Sequence, residues 1–133
     1  MNSVKVGNFT IGDGKLTLLG GPCTAESEKL CLEVAEYLVG LCAELGVQYV
    51  FKASFDKANR SSGASRRGPG MVAGLKYLAS VKEHFGIPVV TDIHESNEAI
   101  PVAEVADVAG LFTVFLFPTY QAGVRRFGVG TCR

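Results

Sequence analysis

A short apolar run followed by a helical pattern occurs three times along this chain. The apolar runs begin near residues 16, 47 and 87. Helices are predicted over residues 27–45 and 71–85, because apolar side chains recur there at spacings of three and four and a glycine follows each segment. A third, shorter helix is predicted from Ser96 to about Val105. Such alternation predicts parallel strands joined by helical crossovers, which is an α/β fold.

Two architectures share this alternation, and chain length limits one of them. An open doubly wound sheet and a (β/α)8 barrel are both assembled from strand–helix units. A complete barrel needs about 250 residues, whereas the chain has 133. Three units could therefore form only the first part of a barrel. A short β-hairpin is expected before them, because β-forming residues flank Gly7-Asn8 within residues 4–11.

Composition excludes several classes of protein. With 47% hydrophobic and 20% charged residues and no net charge, the chain is typical of a globular protein and not of a basic nucleic-acid binder. Its N-terminus has no apolar core of signal-peptide length, and its longest uncharged run is shorter than the ~20 apolar residues of a membrane helix. None of the cysteines forms a Cys-x-x-Cys pair, which favours a reducing compartment. We therefore expect a cytoplasmic protein that binds neither nucleic acid nor membranes.

The zero net charge conceals one basic block at residues 51–70. This block has a charge balance of +4, because its only acidic residue is Asp56. Its basic residues are Lys52, Lys57, Arg60, Arg66 and Arg67. Lysine, arginine, serine hydroxyls and glycine amides all suit phosphate oxygens. Composition alone supports a phosphate-binding segment and a solvated basic loop equally; RNA binding is less favoured, because interleaved aromatics are limited to Phe55.

Polar groups follow each of the three predicted strands. Gly20–Cys23 follow the first strand, Lys52–Lys57 the second and Asp92–Glu95 the third. Active sites of parallel α/β folds lie at the carboxyl ends of the strands, so these groups together predict a site. Taken singly, each is better explained as a solvated loop residue.

Cysteine and histidine side chains leave alternatives open. Cys23 is predicted to be a nucleophile, a metal ligand or a small buried residue. Cys31 and Cys42 lie about three helical turns apart and are predicted to pack in the core. His94 could act as a general acid–base group, although spacing alone favours a structural role.

Four segments of the chain closely resemble the 3-deoxy-D-manno-octulosonate 8-phosphate synthase family. They are Phe51–Ser62, Arg67–Gly70, Thr91–Glu95 and Pro101–Val105, within a resemblance that covers residues 4–108. Family members are (β/α)8 barrels that condense phosphoenolpyruvate with arabinose 5-phosphate and water in lipopolysaccharide biosynthesis, releasing phosphate. The resemblance therefore implies that the chain comes from a transferase. It also implies an α/β fold that consists of a short β-hairpin and the N-terminal three βα units of a truncated TIM barrel.

The resemblance also implies roles for individual residues. Lys52 and Lys57 would contact phosphoenolpyruvate, and Asp92 would lie close to the reacting carbons; these three form the catalytic set. The implied substrate-binding residues are Lys52, Ser54, Lys57, Asn59, Arg60, Ser61 and Asp92, with Arg60 and Ser61 on the phosphate of arabinose 5-phosphate. In the family that phosphate site is completed across a subunit interface, which implies a homo-oligomer of tetramer type.

Cys23 places the resemblance in the metal-dependent class of the family, where cysteine replaces asparagine. The complete enzyme would hold a divalent metal of Zn, Fe or Mn type through this thiolate. The remaining ligands belong to the part of the family that the match does not reach. Because a catalytic metal usually needs about three protein ligands, we expect this chain alone not to bind the metal.

The resemblance fades after about residue 108. We therefore divide the chain into 1–108, the N-terminal part of a synthase domain, and 109–133, a divergent tail. We therefore hypothesise that the chain is a truncated or frame-shifted product of a synthase gene and has no turnover of its own. The alternatives are a related 3-deoxy sugar-acid phosphate synthase that uses another aldose, and a non-catalytic phosphate-binding fragment.

Overall fold

The computed structural model describes residues 3–56 and 68–111. Strands β1 and β2 form an antiparallel hairpin, and strands β3, β4, β5 and β6 form a parallel sheet in that order. The strands are β1 (Val4–Val6), β2 (Phe9–Ile11), β3 (Thr17–Thr24), β4 (Gln48–Ser54), β5 (Val89–Ile93) and β6 (Val108–Leu111). The helices are α1 (Glu28–Leu45), α2 (Met71–Phe85) and α3 (Ala99–Val105), with one 3-10 turn (Ser96–Glu98) before α3. None of the helices in these two ranges is long and apolar enough to cross a membrane.

Strand order separates the two architectures that the sequence left open. Each parallel strand pairs with the next one along the chain, in the order β3-β4-β5-β6. A doubly wound sheet reverses its strand order at a switch point, whereas a barrel adds strands sequentially. The hairpin and the three predicted strand–helix units are confirmed. β6 was not predicted, because its four residues merge into a long uncharged run that has no period.

Helix α1 begins and ends at the residues that the sequence predicts. Ser27 has an extended backbone, and its hydroxyl accepts a hydrogen bond from the Leu30 amide at 3.2 Å, which makes Ser27 the N-cap. Gly46 ends the helix at a φ of 66°, a left-handed conformation that glycine adopts without a Cβ clash. Cys31 and Cys42 are buried on the inner face of the helix, as predicted.

Strands β3, β4 and β5 all end later in the sequence than predicted. Cys23, Ser54 and Asp92 lie within β3, β4 and β5, and not in the loops that follow. The physical reason is the alternation of side chains along a strand. Polar side chains at the carboxyl ends occupy one face of the sheet, while their apolar neighbours face the helices. The predicted third helix begins as the 3-10 turn at Ser96–Glu98, whose N-cap is Glu95, and becomes α-helical only from Ala99 to Val105.

Two clusters of apolar side chains cover the two faces of the sheet. The larger lies between the sheet and the helices and includes Phe51, Phe55, Leu78, Val81 and Val89. The smaller lies under the hairpin and consists of Val6, Val50 and Val90, with Phe9, Ile11 and Val108 against them. Burial of this apolar surface is the main force that holds the layers together. Gly7 lies against Pro88, just before β5, so the hairpin lies near the amino end of β5.

Asp107 fixes the amino ends of β5 and β6. Its backbone N–H donates to the Val89 carbonyl at 2.9 Å, and its Oδ2 accepts from the Val89 N–H at 3.0 Å. Lys82 on α2 donates to Asp107 Oδ1 at 3.0 Å and to the Val105 carbonyl at 3.1 Å. These contacts stabilise the end of the sheet opposite to its polar carboxyl ends.

Candidate functional site

The carboxyl ends of β4 and β5 bring together Lys52, Ser54 and Asp92. Ser54 donates its hydroxyl hydrogen to Asp92 Oδ2 at 2.5 Å. Lys52 Nζ lies 3.6 Å from the same carboxylate oxygen. Lys52 pairs with Val90 across the two strands, and every second residue faces the same side. This pairing places Ser54 and Asp92 on the face that carries Lys52.

Burial differs sharply between the two charged members of this group. The Asp92 side chain is 8% exposed and the Lys52 side chain 34%. A buried carboxylate needs hydrogen-bond donors and an opposite charge, and Ser54 and Lys52 supply them. The Lys52 ammonium remains partly open to solvent, so it can also contact an anion that arrives at the open end of the sheet.

Gly110 on β6 borders the carboxylate from the other side. It pairs with Asp92, and a Cβ added to it would lie 3.2 Å from Asp92 Oδ1. A side chain here would crowd the second carboxylate oxygen, so glycine allows β6 to approach Asp92 closely. Sequence reasoning missed this residue, because it assigned residue 110 to the divergent tail. The available signal was a glycine within a strand, which often marks a close approach.

A bulge in β3 lies beside the site on the next strand. Gly20 pairs with Phe51 and Cys23 with Ala53, so β3 carries one extra residue at this point. A Cβ on Gly21 would lie 2.0 Å from the Lys52 carbonyl oxygen, which requires glycine there. Among the described non-glycine residues only Cys23 has a positive φ, of 65°, and its side chain is exposed. Strained backbone of this kind is concentrated at functional sites.

Cys23 is a single candidate ligand for a metal. Within residues 3–56 and 68–111, no group of three or more His, Cys, Asp or Glu side chains could hold a metal ion. A catalytic site of the zinc type uses three protein ligands, so the described residues do not make a complete site. The role of Cys23 as a metal ligand therefore stays a prediction.

His94 contacts protein groups on three sides. Its Nε2 lies 3.1 Å from the Asp56 carbonyl oxygen, which can only accept, so the ring hydrogen is assigned to Nε2. Its backbone N–H donates to Glu98 Oε2 at 2.7 Å. Its ring meets the Phe55 ring edge-on, with centroids 6.4 Å apart. These contacts favour the structural interpretation over general acid–base chemistry. Glu98 was not singled out from the sequence, although it lies three residues after Glu95, a capping-box spacing.

The described residues on either side of 57–67 lie next to each other. This segment follows Asp56 at the end of β4, and the Gly70 N–H then donates to the Phe55 carbonyl at 3.1 Å. Gly68, at a φ of 124°, lies so close that an added Cβ would be 2.5 Å from the Phe55 oxygen. Both flanks of the segment therefore lie beside Ser54. The remaining predicted site residues, Lys57, Asn59, Arg60 and Ser61, lie outside the described residues.

Comparison with known proteins gives the family. The model of the DAHP synthetase I family matches residues 2–111, which is most of the chain. The chain belongs to this family. Members of the DAHP synthetase I family are TIM barrels, and the sequential parallel strands β3 to β6 with their helices are the first part of that architecture.

Three similar curated relatives carry the name 2-dehydro-3-deoxyphosphooctonate aldolase. The protein of Fusobacterium nucleatum is 51% identical over 109 residues, which cover 81% of this chain and 39% of the relative. The protein of Synechococcus is 57% identical over 106 residues, which cover 78% of this chain and 37% of the relative. The protein of Chromobacterium violaceum is 54% identical over 109 residues, which cover 82% of this chain and 37% of the relative. The chain thus spans about two fifths of the length of these relatives.

Proposed function

We propose that this chain is the N-terminal part of a synthase that condenses phosphoenolpyruvate with arabinose 5-phosphate and water. The products are 3-deoxy-D-manno-octulosonate 8-phosphate and inorganic phosphate, in lipopolysaccharide biosynthesis. The observation that carries this proposal is the partly exposed Lys52 ammonium held by buried Asp92 at the carboxyl end of the sheet. It occurs in a chain that is 57% identical to a protein named 2-dehydro-3-deoxyphosphooctonate aldolase.

Lys52 suits the first substrate because phosphoenolpyruvate carries a carboxylate and a phosphate. A lysine ammonium that reaches an anionic group in a partly desolvated site makes a strong, charge-assisted contact. As the methylene carbon attacks the aldehyde, charge redistributes over phosphoenolpyruvate, and Lys52 and Lys57 would stabilise it. Water then adds to the neighbouring carbon and phosphate leaves.

Asp92 suits a position beside the reacting carbons. Ser54 and Lys52 both contact Oδ2, at the carboxyl ends of β4 and β5. An ionised carboxylate accepts hydrogen bonds through both of its oxygens, so Oδ1 can accept one from a sugar hydroxyl or from the attacking water. Asp92 would therefore orient the second substrate while it holds the lysine that binds the first.

The rest of the proposal concerns groups that the described residues do not include. Asn59, Arg60 and Ser61 would hold arabinose 5-phosphate, and Cys23 would contribute one ligand to a divalent metal in the full-length protein. A homo-oligomer of tetramer type and a cytoplasmic location complete the proposal. The location is supported by the three described cysteines, all of them free thiols.

Two observations keep the alternative functions open. The basic block at residues 51–70 suits phosphate oxygens whether or not a reaction follows, which favours a non-catalytic phosphate-binding fragment. The matching family model carries the name of the DAHP synthetases, which favours a synthase that uses a different aldose phosphate.

Calorimetric titration followed by a phosphate-release assay separates these functions. We expect the chain to bind phosphoenolpyruvate and to release no phosphate when arabinose 5-phosphate and a divalent metal are added. Inorganic phosphate that binds as tightly as phosphoenolpyruvate would favour the non-catalytic fragment. A four-carbon aldose phosphate that binds more tightly than arabinose 5-phosphate would favour the related synthase. A chain that binds none of these compounds would overturn the proposal.

A further inference from the structure

Strands β4 and β5 lose their backbone pairing before they end. Their partner pairs are Phe51 with Val89 and Lys52 with Val90, although β4 continues to Ser54 and β5 to Ile93. Beyond Lys52 the two strands are therefore joined by other contacts. Those contacts decide how rigidly the polar carboxyl ends face each other.

Side chains continue the pairing where the backbone ladder stops. Counting on by two from Lys52 and Val90 leads first to Ser54 and Asp92, which share a hydrogen bond of 2.5 Å. The next step leads to Asp56 and His94, where His94 Nε2 lies 3.1 Å from the Asp56 carbonyl oxygen. The histidine bond is the outermost of these contacts, directly before residues 57–67.

Contacts other than the one with Asp56 also fix the position of His94. The Glu98 carboxylate accepts the His94 N–H at 2.7 Å and the Glu95 N–H at 3.2 Å through the same oxygen. The Phe55 ring meets the imidazole edge-on. With its backbone and its ring both fixed, His94 needs little further ordering to donate to Asp56, so the entropy cost of this bond is small.

We infer that His94 is a positioning residue that acts through the Asp56 carbonyl. It holds the end of β4 against β5, and so it keeps Ser54 and Lys52 in contact with Asp92. The imidazole is engaged with Asp56 and Phe55, so this role requires no contact with substrate. Only the binding arm of the test below rests on the proposed function.

Two substitutions separate this role from general packing. His94→Gln can place its amide nitrogen near the position of Nε2, whereas the shorter side chain of His94→Asn cannot. We expect phosphoenolpyruvate, titrated by calorimetry into the 133-residue chain, to bind His94→Gln within about threefold of wild type. Binding to His94→Asn should be at least about tenfold weaker. Equal affinities of both variants for phosphoenolpyruvate would overturn the inference.

Amide hydrogen exchange tests the same inference without any ligand. The Ala25 N–H donates to the Ser54 carbonyl and the Gly70 N–H to the Phe55 carbonyl, so both amides report on the end of β4. The Asp107 N–H, bonded to Val89 at the amino end of β5, is the matched control. His94→Asn should speed exchange of Ala25 and Gly70 about tenfold, and His94→Gln and the Asp107 amide should stay near wild type.

Two results of the exchange experiment would contradict the inference. One is equal acceleration of all three amides in His94→Asn, which indicates general destabilisation. The other is no acceleration at Ala25 or Gly70. If the wild type binds no phosphoenolpyruvate, the proposed function fails, and the exchange rates still decide the role of His94.

Discussion

Ser54 donates its hydroxyl hydrogen to Asp92 Oδ2 at 2.5 Å, across 38 positions of sequence. Both residues are buried, so the carboxylate depends on this donor and on Lys52 for its solvation. The contact joins adjacent strands at the point where their backbone ladder has ended. It therefore links the stability of the sheet to the geometry of the candidate site.

Removing the fully buried Ser54 hydroxyl should cost more than removing a half-buried one. We expect Ser54→Ala to lower the free energy of unfolding by about 1.5–3 kcal/mol, because a hydrogen bond to a buried charge is lost. Ser80→Ala is the matched control; its hydroxyl contacts Glu28 between α2 and α1 at a half-buried position, where water can replace the lost partner, and it should cost less than about 1 kcal/mol. Urea unfolding of both variants measures the difference, and equal losses would show that burial of Asp92 does not matter.

The β3 bulge should tolerate no side chain at residue 21. A Cβ in Gly21→Ala would lie 2.0 Å from the Lys52 carbonyl oxygen, so the two strands must separate. Overpacking of this kind costs about 1–3 kcal/mol or more. Gly40→Ala is the control, because it lies in α1 with nothing within 4 Å of the added methyl, and it should gain about 0.5–1 kcal/mol. Thermal melts that move in the same direction for both would contradict this prediction.

The described cysteines should differ in their reaction with iodoacetamide. Cys23 is exposed, whereas Cys31 and Cys42 are buried. We expect brief treatment of the folded chain to alkylate Cys23 first, since access limits the reaction of a buried thiol. Peptide mass spectrometry measures the extent at each position, and urea provides the control in which all three react. Faster labelling of Cys31 than of Cys23 in the folded chain would show that α1 does not pack as described.

Stability should decrease at alkaline pH. Burial, with a smaller effect from Glu28, raises the pKa of Cys31 from 9.0 to about 11, and burial also raises the pKa of Cys42. The unfolded thiols lose their protons near pH 9, while the folded chain retains them. For Cys31 this stabilisation is therefore complete below pH 9 and is lost as pH rises toward 11, by up to about 1.4 kcal/mol per pH unit.

Cys31→Ala separates this effect from general alkaline unfolding. The variant loses one of the groups that titrate, so its free energy of unfolding should fall less steeply between pH 9 and 11 than that of the wild type. Denaturant melts at several pH values measure both slopes. A wild-type stability that is constant or rises over this interval would contradict the pKa assignment.

Much of the fold follows from local sequence signals. Ser27 and Gly46 determine the ends of α1 through a side-chain cap and a left-handed residue, which any chain of this pattern would use. The strand–helix alternation then predicts parallel pairing. The sequence does not predict β6, because a strand of four residues is defined by its pairing with β5 and not by a pattern of its own.

The sequence predicts which region of the chain forms the candidate site, but not the contacts and backbone conformation within it. Lys52, Ser54 and Asp92 were assigned by resemblance, and their common face follows from strand register. The bulge at Gly21 and the positive φ of Cys23 could not be predicted, since both lie where the register between β3 and β4 shifts, and register has no local sequence pattern. The contact of His94 with Asp56 likewise depends on how far β4 and β5 extend beyond their backbone pairing.

The affinity of the chain for phosphoenolpyruvate, with and without the Lys52 charge, tests the proposed site most directly. Lys52→Met removes the ammonium beside Asp92, and Lys29→Met removes the same charge from the exposed surface of α1, where Lys29 pairs with Glu33. Calorimetry should show binding at least about tenfold weaker for Lys52→Met and within about twofold of wild type for Lys29→Met. Equal affinities in the wild type and both variants would show that phosphoenolpyruvate does not bind at Lys52.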